Sequence, residues 1–405
     1  MKLLTLSALA GVLISQAAAR AVGSDGKLVV GYWMSDDMST LDFSKVTHIN
    51  YAFSTIQNGV PSSPATLKKL VPAAHAADTK VLLSIGGWGG GNGFTPSFNN
   101  SAGRAKFVAA TKKLIDDTGI DGVDIDWEYP GEPGACGQPY ALSDTKNFLT
   151  VLKQLRAAIG EEKLITAATA THPFFDESGK PSKDISAFAK VFDWINLMSY
   201  DLNGIWGLTT GPNAPMIKGL GGVKASVVQG VTDWHKAGMP IDQIVVGTPF
   251  YGHNMTSIKS MAKNAGTHEY DPVQGGNTGH NCNGGGFSTE TGWQDIIPYL
   301  YKNRTTAIPP WVRKFDTITR TPWLTNSETN EFISYDDPIS LAEKVDYVVC
   351  MDLLGVMTWE LSLDNGELLP VLNQISEKAA KHGKSKHGKH GHDSSKCIPT
   401  GPVTH

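Results

Sequence analysis

The stretch DGVDIDWEYP, residues 121–130, holds four acidic residues within eight positions. Burying a carboxylate is costly unless it is paired or protonated, so such crowding needs a physical reason. Side chains alternate along a β-strand, and the pattern therefore places Asp124, Asp126 and Glu128 on one face. Asp121 has the opposite parity, and we expect it to be a structural hydrogen-bond acceptor at the start of the strand.

Three stacked carboxyl groups cannot all be ionised cheaply, so at least one is expected to hold a proton near neutral pH. Glu128 is nearest the end of the strand and is the natural proton donor to a ligand, as glycoside hydrolysis requires. A Mg²⁺ or Ca²⁺ site is the main alternative use of such a cluster. Trp127 and Tyr129 flank the acid, however, and aromatic rings stack on sugars, so we expect no metal and no cofactor.

Eight short apolar runs alternate with stretches of helical apolar spacing, which is typical of a parallel sheet covered by helices. The pattern predicts the α/β class and a (β/α)8 TIM barrel, with a doubly wound open sheet as the alternative. Polar and aromatic residues gather at the C-terminal ends of the predicted strands, where barrel active sites lie. The strands are predicted at 27–33, 46–54, 80–87, 122–129, 164–170, 194–201, 243–251 and 355–361, and the helices at 102–118, 142–160, 223–237, 338–346 and 366–380.

The chain divides into four predicted regions. Residues 1–21 have the pattern of a signal peptide, which predicts a secreted, extracellular protein. Residues 22–380 are predicted to form the catalytic barrel, and 253–334, between strand 7 and helix 7, a small α+β insertion. The low-complexity, His- and Lys-rich segment 381–405 is predicted to be a disordered tail, with metal capture or attraction to an anionic wall polymer as the alternatives.

Four cysteines allow up to two disulfides in an oxidising compartment, with three possible pairings. Cys136 and Cys282 lie in Gly-rich polar segments and are the pair that we would test first. Cys350 lies in the apolar run YVVCM and is predicted to be a buried free thiol.

The net charge and the sequons indicate which partners and modifications to expect. The formal net charge of −4 does not point to nucleic acid, and we expect no membrane partner and a monomer. Sequons begin at Asn99, Asn254 and Asn303, which predicts a glycoprotein if the chain is secreted.

DGVDIDWEYP resembles the DxxDxDxE signature of glycoside hydrolase family 18, the chitinases. SIGGWG (84–89), MSYD (198–201) and Trp359 in MTWEL resemble the family motifs on the third, sixth and eighth strands, in the family's order. Ser84, Gly86 and Gly87 are expected to serve backbone geometry. The resemblance covers 27–380 and implies a secreted chitinase that cuts β-1,4 bonds between N-acetylglucosamine units of chitin or chitooligosaccharides.

The resemblance also implies a role for each matching residue. Glu128 would be the general acid and later the base. The family has no enzyme nucleophile, because the 2-acetamido oxygen of the substrate attacks and gives an oxazolinium ion with net retention. Asp126 would orient the acetamido group while Asp124 shares its proton, and Tyr200 would hydrogen-bond the acetamido carbonyl.

Asp201 and Trp359 would contact the sugar, Trp359 as the floor beneath it. The remaining candidates for substrate contact are Trp88, Met198, Tyr251 and Tyr32. Core packing is the favoured interpretation of Met198, and rim packing is the alternative for the three aromatic residues. Two other functions stay open: an endo-β-N-acetylglucosaminidase acting on N-glycans, and a chitin-binding lectin that does not catalyse.

Overall fold

The computed structural model describes residues 26–135, 137–219, 225–262, 290–385 and 394–399. Its strands are β1 Leu28–Trp33, β2 His48–Ser54, β3 Ile56–Gln57, β4 Val60–Pro61, β5 Lys80–Gly86, β6 Gly122–Asp126, β7 Leu164–Thr169, β8 Trp194–Leu197, β9 Ile244–Pro249, β10 Tyr251–Thr256, β11 Glu290–Gly292, β12 Trp311–Asp316, β13 Thr321–Asn326, β14 Glu331–Ser334 and β15 Gly355–Trp359. Its helices are α1 Leu67–His75, α2 Phe94–Phe98, α3 Ser101–Thr118, α4 Asp144–Ile159, α5 Ser186–Ala189, α6 Val227–Lys236, α7 Trp293–Ile296, α8 Pro338–Cys350, α9 Leu369–Leu372 and α10 Gln374–Ser385.

Eight parallel strands close into a barrel in the order β1-β15-β9-β8-β7-β6-β5-β2. The first and last barrel strands pair directly, with Leu28 opposite Gly355. An open doubly wound sheet would leave these two strands as free edges. The predicted (β/α)8 barrel is therefore confirmed, and the open sheet is excluded.

Local sequence signals fix the ends of the longer helices. Asn100 caps α3 by accepting a hydrogen bond from the Gly103 amide, and Gly119 ends that helix in the left-handed region at φ 73°. At α8, Asp337 and Ser340 form a reciprocal capping box, with Pro338 at the first helical position. α8 continues to Cys350, four residues beyond its predicted end.

A second sheet stands between β9 and α8. Its five strands are antiparallel in the order β11-β10-β14-β13-β12. It begins at Tyr251, two residues after the end of β9 and two residues before the predicted start of the insertion. Residues 263–289 of this region lie outside the described residues.

Buried ion pairs surround the start of α8, and one of them joins it to this sheet. The Arg313 guanidinium on β12 lies 2.5 Å from the Asp337 carboxylate at the start of the helix, and the two side chains are 4% and 0% exposed. The Lys344 ammonium donates to Asp336 over 2.7 Å, with both side chains fully buried. The sheet is therefore fixed to the barrel by the Arg313–Asp337 pair as well as by chain connection.

The cysteine prediction is wrong for Cys350. Cys350 forms a disulfide with Cys397, with the Cα atoms 5.5 Å apart. The apolar run that suggested a buried thiol is the last turn of α8, which ends where segment 394–399 returns to the barrel. Cys136 and Cys282 lie outside the described residues.

The two ends of the chain are only partly described. The predicted signal peptide, 1–21, lies outside the described residues, as do 386–393 and 400–405 of the predicted tail. Residues 381–385 continue α10 instead of starting a disordered tail, and Cys397 is tied to α8. Among the described residues, no helix is long and apolar enough to cross a membrane.

Candidate active site

Three carboxyl groups, two on β6 and one just after it, lie in order from the barrel interior to its carboxyl-terminal rim. Asp124, Asp126 and Glu128 are 0%, 3% and 9% exposed, in that order. Asp121 lies at the opposite end, where its carboxylate accepts hydrogen bonds from the Val81 amide and the His75 ring, both at 2.8 Å. The predicted alternation along the strand and the structural role of Asp121 are therefore confirmed.

Asp124 is held by four donors from four other barrel strands. Tyr32 and Ser84 donate to Oδ2 over 2.7 and 2.8 Å, and Thr166 and Asn196 donate to Oδ1 over 2.6 and 3.1 Å. Burial raises the pKa of Asp124, while these hydrogen bonds act in the opposite direction. Because a carboxylate has about four lone-pair sites, this geometry favours the charged form and leaves little room for a shared proton.

Asp126 has the contrasting environment. Burial raises its pKa well above the usual range, and the charges of Glu128 and Asp124 raise it further. Its buried Oδ1 has no hydrogen-bond partner among the described residues. Asp126 can therefore hold a proton in the free protein and offers an oxygen to a bound group.

Glu128 is the carboxyl group at the mouth of the barrel. Burial raises its pKa to about 7, and the Asp201 charge also raises it, whereas a hydrogen bond with Tyr129 lowers it. A carboxyl group with this pKa is protonated in mildly acidic solution and can exchange its proton near neutrality. This is the property that a general acid and base needs.

Asp201 faces this carboxyl group from the end of β8. Its Oδ1 accepts hydrogen bonds from the Tyr251 hydroxyl over 2.6 Å and the His253 ring over 2.7 Å. Its amide donates to Asn213, and its φ of 56° is in the left-handed region that Asp tolerates. The side chain is nevertheless 45% exposed, so it can still meet a ligand.

Tyr200 and Met198 come from the same strand end but differ in surroundings. The Tyr200 hydroxyl is buried and contacts the Met357 sulfur at 3.7 Å. Burial and the Asp126 charge raise the pKa of Tyr200 well above its usual value, so it remains a hydrogen-bond donor. Met198 packs against the barrel's interior apolar cluster, as its core-packing interpretation predicts.

Trp359 lies among aromatic rings at the end of β15. Phe53 stacks on it with ring centroids 5.5 Å apart and planes 21° apart, and Tyr32 meets it at the same centroid distance. The indole is only partly buried, so one part of it remains accessible. Phe53 was not singled out from the sequence, because its neighbours in the chain carry no chemical signal.

The other aromatic candidates divide into two kinds. Trp88 is 50% exposed and meets Tyr129 edge-on at 6.5 Å, so it is available on the rim. Tyr32 and Tyr251 are each 1% exposed and direct their hydroxyls at Asp124 and Asp201. The structure therefore makes these two tyrosines supports for carboxylates.

The sequence missed several of these supports. His253 and Asn213 bind Asp201 from distant parts of the chain, so no local spacing indicates them. Ser84 corrects a second expectation: its hydroxyl binds Asp124 and does more than serve backbone geometry. Gly86 does serve geometry, since a Cβ there would lie 2.0 Å from the Asp126 carbonyl oxygen.

The family model for glycosyl hydrolases family 18 matches residues 28–364. The chain belongs to this family. The motif residues of β5, β6, β8 and β15 thus meet at one end of a family 18 barrel, and the resemblance read from the sequence is confirmed.

Named relatives and a solved structure agree with this membership. A chitinase-like effector of Moniliophthora roreri is 35% identical over 366 residues, covering 83% of this chain and 89% of that protein. Chitinase A1 of Niallia circulans is 28% identical, covering 90% of this chain and 61% of that protein. The crystal structure of a chitinase from Rhizomucor miehei is 30% identical with a TM-score of 0.80, covering 86% of this chain and all of that one.

Proposed function

We propose that this protein is a chitinase that hydrolyses β-1,4 bonds between N-acetylglucosamine units with retention of configuration. The observation that carries the proposal is the arrangement of two carboxyl groups: Glu128 at the mouth of the barrel, whose pKa burial raises to about 7, lies two residues after Asp126, which has an unpartnered buried oxygen. The pair supplies a proton donor and, deeper in the barrel, an acceptor for the substrate's acetamido N–H.

The first step is proton transfer from Glu128 to the glycosidic oxygen as that bond breaks. The sugar whose anomeric carbon loses this bond carries a 2-acetamido group. Its acetamido oxygen attacks that anomeric carbon and gives a cyclic oxazolinium ion in place of a covalent enzyme intermediate. Asp126 accepts a hydrogen bond from the acetamido N–H and stabilises the positive charge. Tyr200, kept protonated by its surroundings, donates to the acetamido oxygen.

The second step reverses the role of Glu128. Its carboxylate now takes a proton from water, which attacks the anomeric carbon from the side that the leaving group vacated. Two inversions give net retention. Asp124 lies beneath Asp126, and its charge raises the pKa of Asp126 in the free protein.

The sugar would lie on Trp359, whose position Phe53 and Tyr32 fix. Trp88 provides a second exposed ring on the rim, suited to a neighbouring sugar. The sheet between β9 and α8 adds a wall beside Asp201 and favours a long, unbranched polymer over the branched core of an N-glycan.

Secretion is part of the proposal. The N-terminal pattern of residues 1–21 and the Cys350–Cys397 disulfide both fit an oxidising, extracellular environment. We also propose that the protein is a monomer, that it binds chitin and carries N-glycans, and that it needs no cofactor.

The test mixes the purified secreted protein with chitohexaose and follows early products and their anomeric form by NMR. Release of shorter oligomers as the β-anomer is expected. Glu128→Gln should lower turnover at least about 100-fold while retaining binding, because the amide cannot donate the proton. Glu132→Gln is the matched control, since the pKa of Glu132 is also about 7 and it lies four residues further on.

Three outcomes would contradict the proposal. Intact hexaose that still binds would indicate a chitin-binding protein, and intact hexaose without binding would direct attention to N-glycans. Release of the early products as the α-anomer would rule out the retaining mechanism.

A further inference from the structure

A pocket of about 450 Å³ lies between the segments that follow β2 and β5, and Asp124, Asp126 and Glu128 are not among the residues that line it. It is bounded by the hairpin β3–β4, the turn Gly91–Gly93 and the start of α3. Its volume is within the range of small-molecule sites. The lining residues are Ile56, Asn58, Gly59, Asn92, Gly93, Pro96, Ser97 and Gly103.

The lining is neutral and offers hydrogen bonds without using them. None of the lining residues carries a charge. In the described parts of the chain, the Asn58 and Asn92 carboxamides and the Ser97 hydroxyl have no hydrogen-bond partner. Ile56 and Pro96 add apolar surface. Such a lining suits a neutral ligand with amide and hydroxyl groups, and the nearby cation, Lys106, packs its stem beside Gly59 without lining the pocket.

The pocket walls are held by close backbone packing. A Cβ at Gly93 would lie 2.3 Å from the Ile56 carbonyl oxygen, and one at Gly103 would lie 2.1 Å from the Ser97 carbonyl oxygen. Neither contact permits a larger residue without movement of the main chain. The main chain around the pocket is therefore closely packed, whereas the Asn58 and Asn92 side chains are exposed.

The pocket is close to the rim that carries the exposed Trp88. Asn92 follows Trp88 by four residues, so their Cα atoms are at most about 14 Å apart. The exposed sequon residue Asn99 follows the lining residue Ser97 by two residues. A sugar unit can reach the pocket from a polymer on the rim or from a glycan on Asn99.

We propose that this pocket binds one N-acetylglucosamine unit at a site separate from the catalytic centre. The two carboxamides match the acetamido group, which both donates and accepts, and the apolar surface matches its methyl group. The choice of ligand rests on the proposed function, whereas binding at this pocket requires no hydrolysis. The unit comes either from a chitin chain or from the protein's own N-glycan, and the experiment separates these two sources.

The test counts bound N,N′-diacetylchitobiose by equilibrium dialysis against full-length Glu128→Gln, in which turnover cannot consume the probe. The comparison protein is the same Glu128→Gln variant with Asn58→Gly and Asn92→Ala added, and these two changes, the double variant, remove both carboxamides. Glycine suits position 58 because Asn58 has a φ of 50°. Asn92→Trp, at an exposed position, is an independent variant that fills the pocket.

The affinity for one of the bound chitobiose molecules should fall about tenfold in the double variant, and binding of that molecule should be lost in Asn92→Trp. The other bound molecules should keep their affinity. If the extra equivalent is seen only after Asn99→Gln removes the sequon, the occupant is the protein's own glycan. Equal numbers and affinities in all variants would overturn the proposal. If the double variant misfolds, Asn92→Trp alone decides. The proposed function is tested separately, by measuring turnover of chitotriose by the unsubstituted protein, which keeps Glu128.

Discussion

Three carboxyl groups on one face of β6 have three different environments. Asp124 is surrounded by donors, Asp126 keeps an unpartnered oxygen, and Glu128 meets the solvent-facing mouth of the barrel. Donors stabilise the anion, whereas burial beside other anions stabilises the proton. The gradient along one strand therefore separates a fixed charge from two groups that can exchange protons.

Asp201→Asn should move the pH dependence of hydrolysis. The general acid must be protonated, so kcat/KM should fall as pH rises past the Glu128 pKa of about 7. The Asp201 charge raises that pKa, and its removal should shift this alkaline limb to lower pH and reduce activity at neutrality. The measurement is the pH profile of kcat/KM on chitotriose. Asp116→Asn, the same change on the surface of α3, should leave the limb in place, and an unmoved limb in Asp201→Asn would contradict the coupling.

The elements meet through contacts that join distant parts of the chain. The sheet between β9 and α8 supplies His253 to Asp201 on its first strand and Arg313 to Asp337 on another. Buried ion pairs seldom stabilise more than a well-packed apolar pair, but loss of one partner leaves a costly buried charge. The buried Arg313–Asp337 pair and the His253–Asp201 hydrogen bond thus join the sheet to the barrel.

Lys344→Met should destabilise the protein by about 3–5 kcal/mol, because it leaves Asp336 buried without its cation. Adding Asp336→Leu should recover most of that loss, since both charges are then gone. Burial raises the pKa of Asp336, so the folded state of the single variant favours a proton. Its stability should therefore fall as pH rises, and the loss should be smaller near about pH 4 than near about pH 7. Denaturant unfolding at both pH values measures this, and equal losses in the single and double variants would contradict it.

The sequence predicted the elements better than their partners. Strands β1, β2 and β5 fall within one or two residues of their predicted bounds, because buried apolar runs have a clear local pattern. β8 ends at Leu197, four residues early, because Met198 to Asp201 leave the sheet to enter the site. The four donors to Asp124 and the His253 contact join residues separated by up to 92 positions, which no local pattern encodes.

The two ends of the barrel differ in their chemistry. The carboxyl ends of the barrel strands carry the acids, the exposed Trp88 and the contacts to the second sheet. Cys350 precedes β15 by five residues and therefore lies near the amino ends of the strands. Its bond to Cys397 encloses β15, α9 and α10 in one covalent loop with a sequence separation of 47 residues. The covalent closure is thus remote from the proposed chemistry.

Replacing both cysteines, in Cys350→Ser with Cys397→Ser, should lower stability without slowing hydrolysis. Loss of a closed loop of 47 residues corresponds to about 4 kcal/mol of loop entropy in the unfolded state. Denaturant unfolding of the double variant, beside the parent with and without a thiol reductant, measures the difference, and the reduced parent should match the variant. Turnover of chitotriose well below the unfolding transition should be unchanged, because the strand ends that carry Glu128 and Trp359 are at the opposite end of the barrel. A loss of turnover in the still-folded variant would mean that the disulfide also positions the catalytic end of β15.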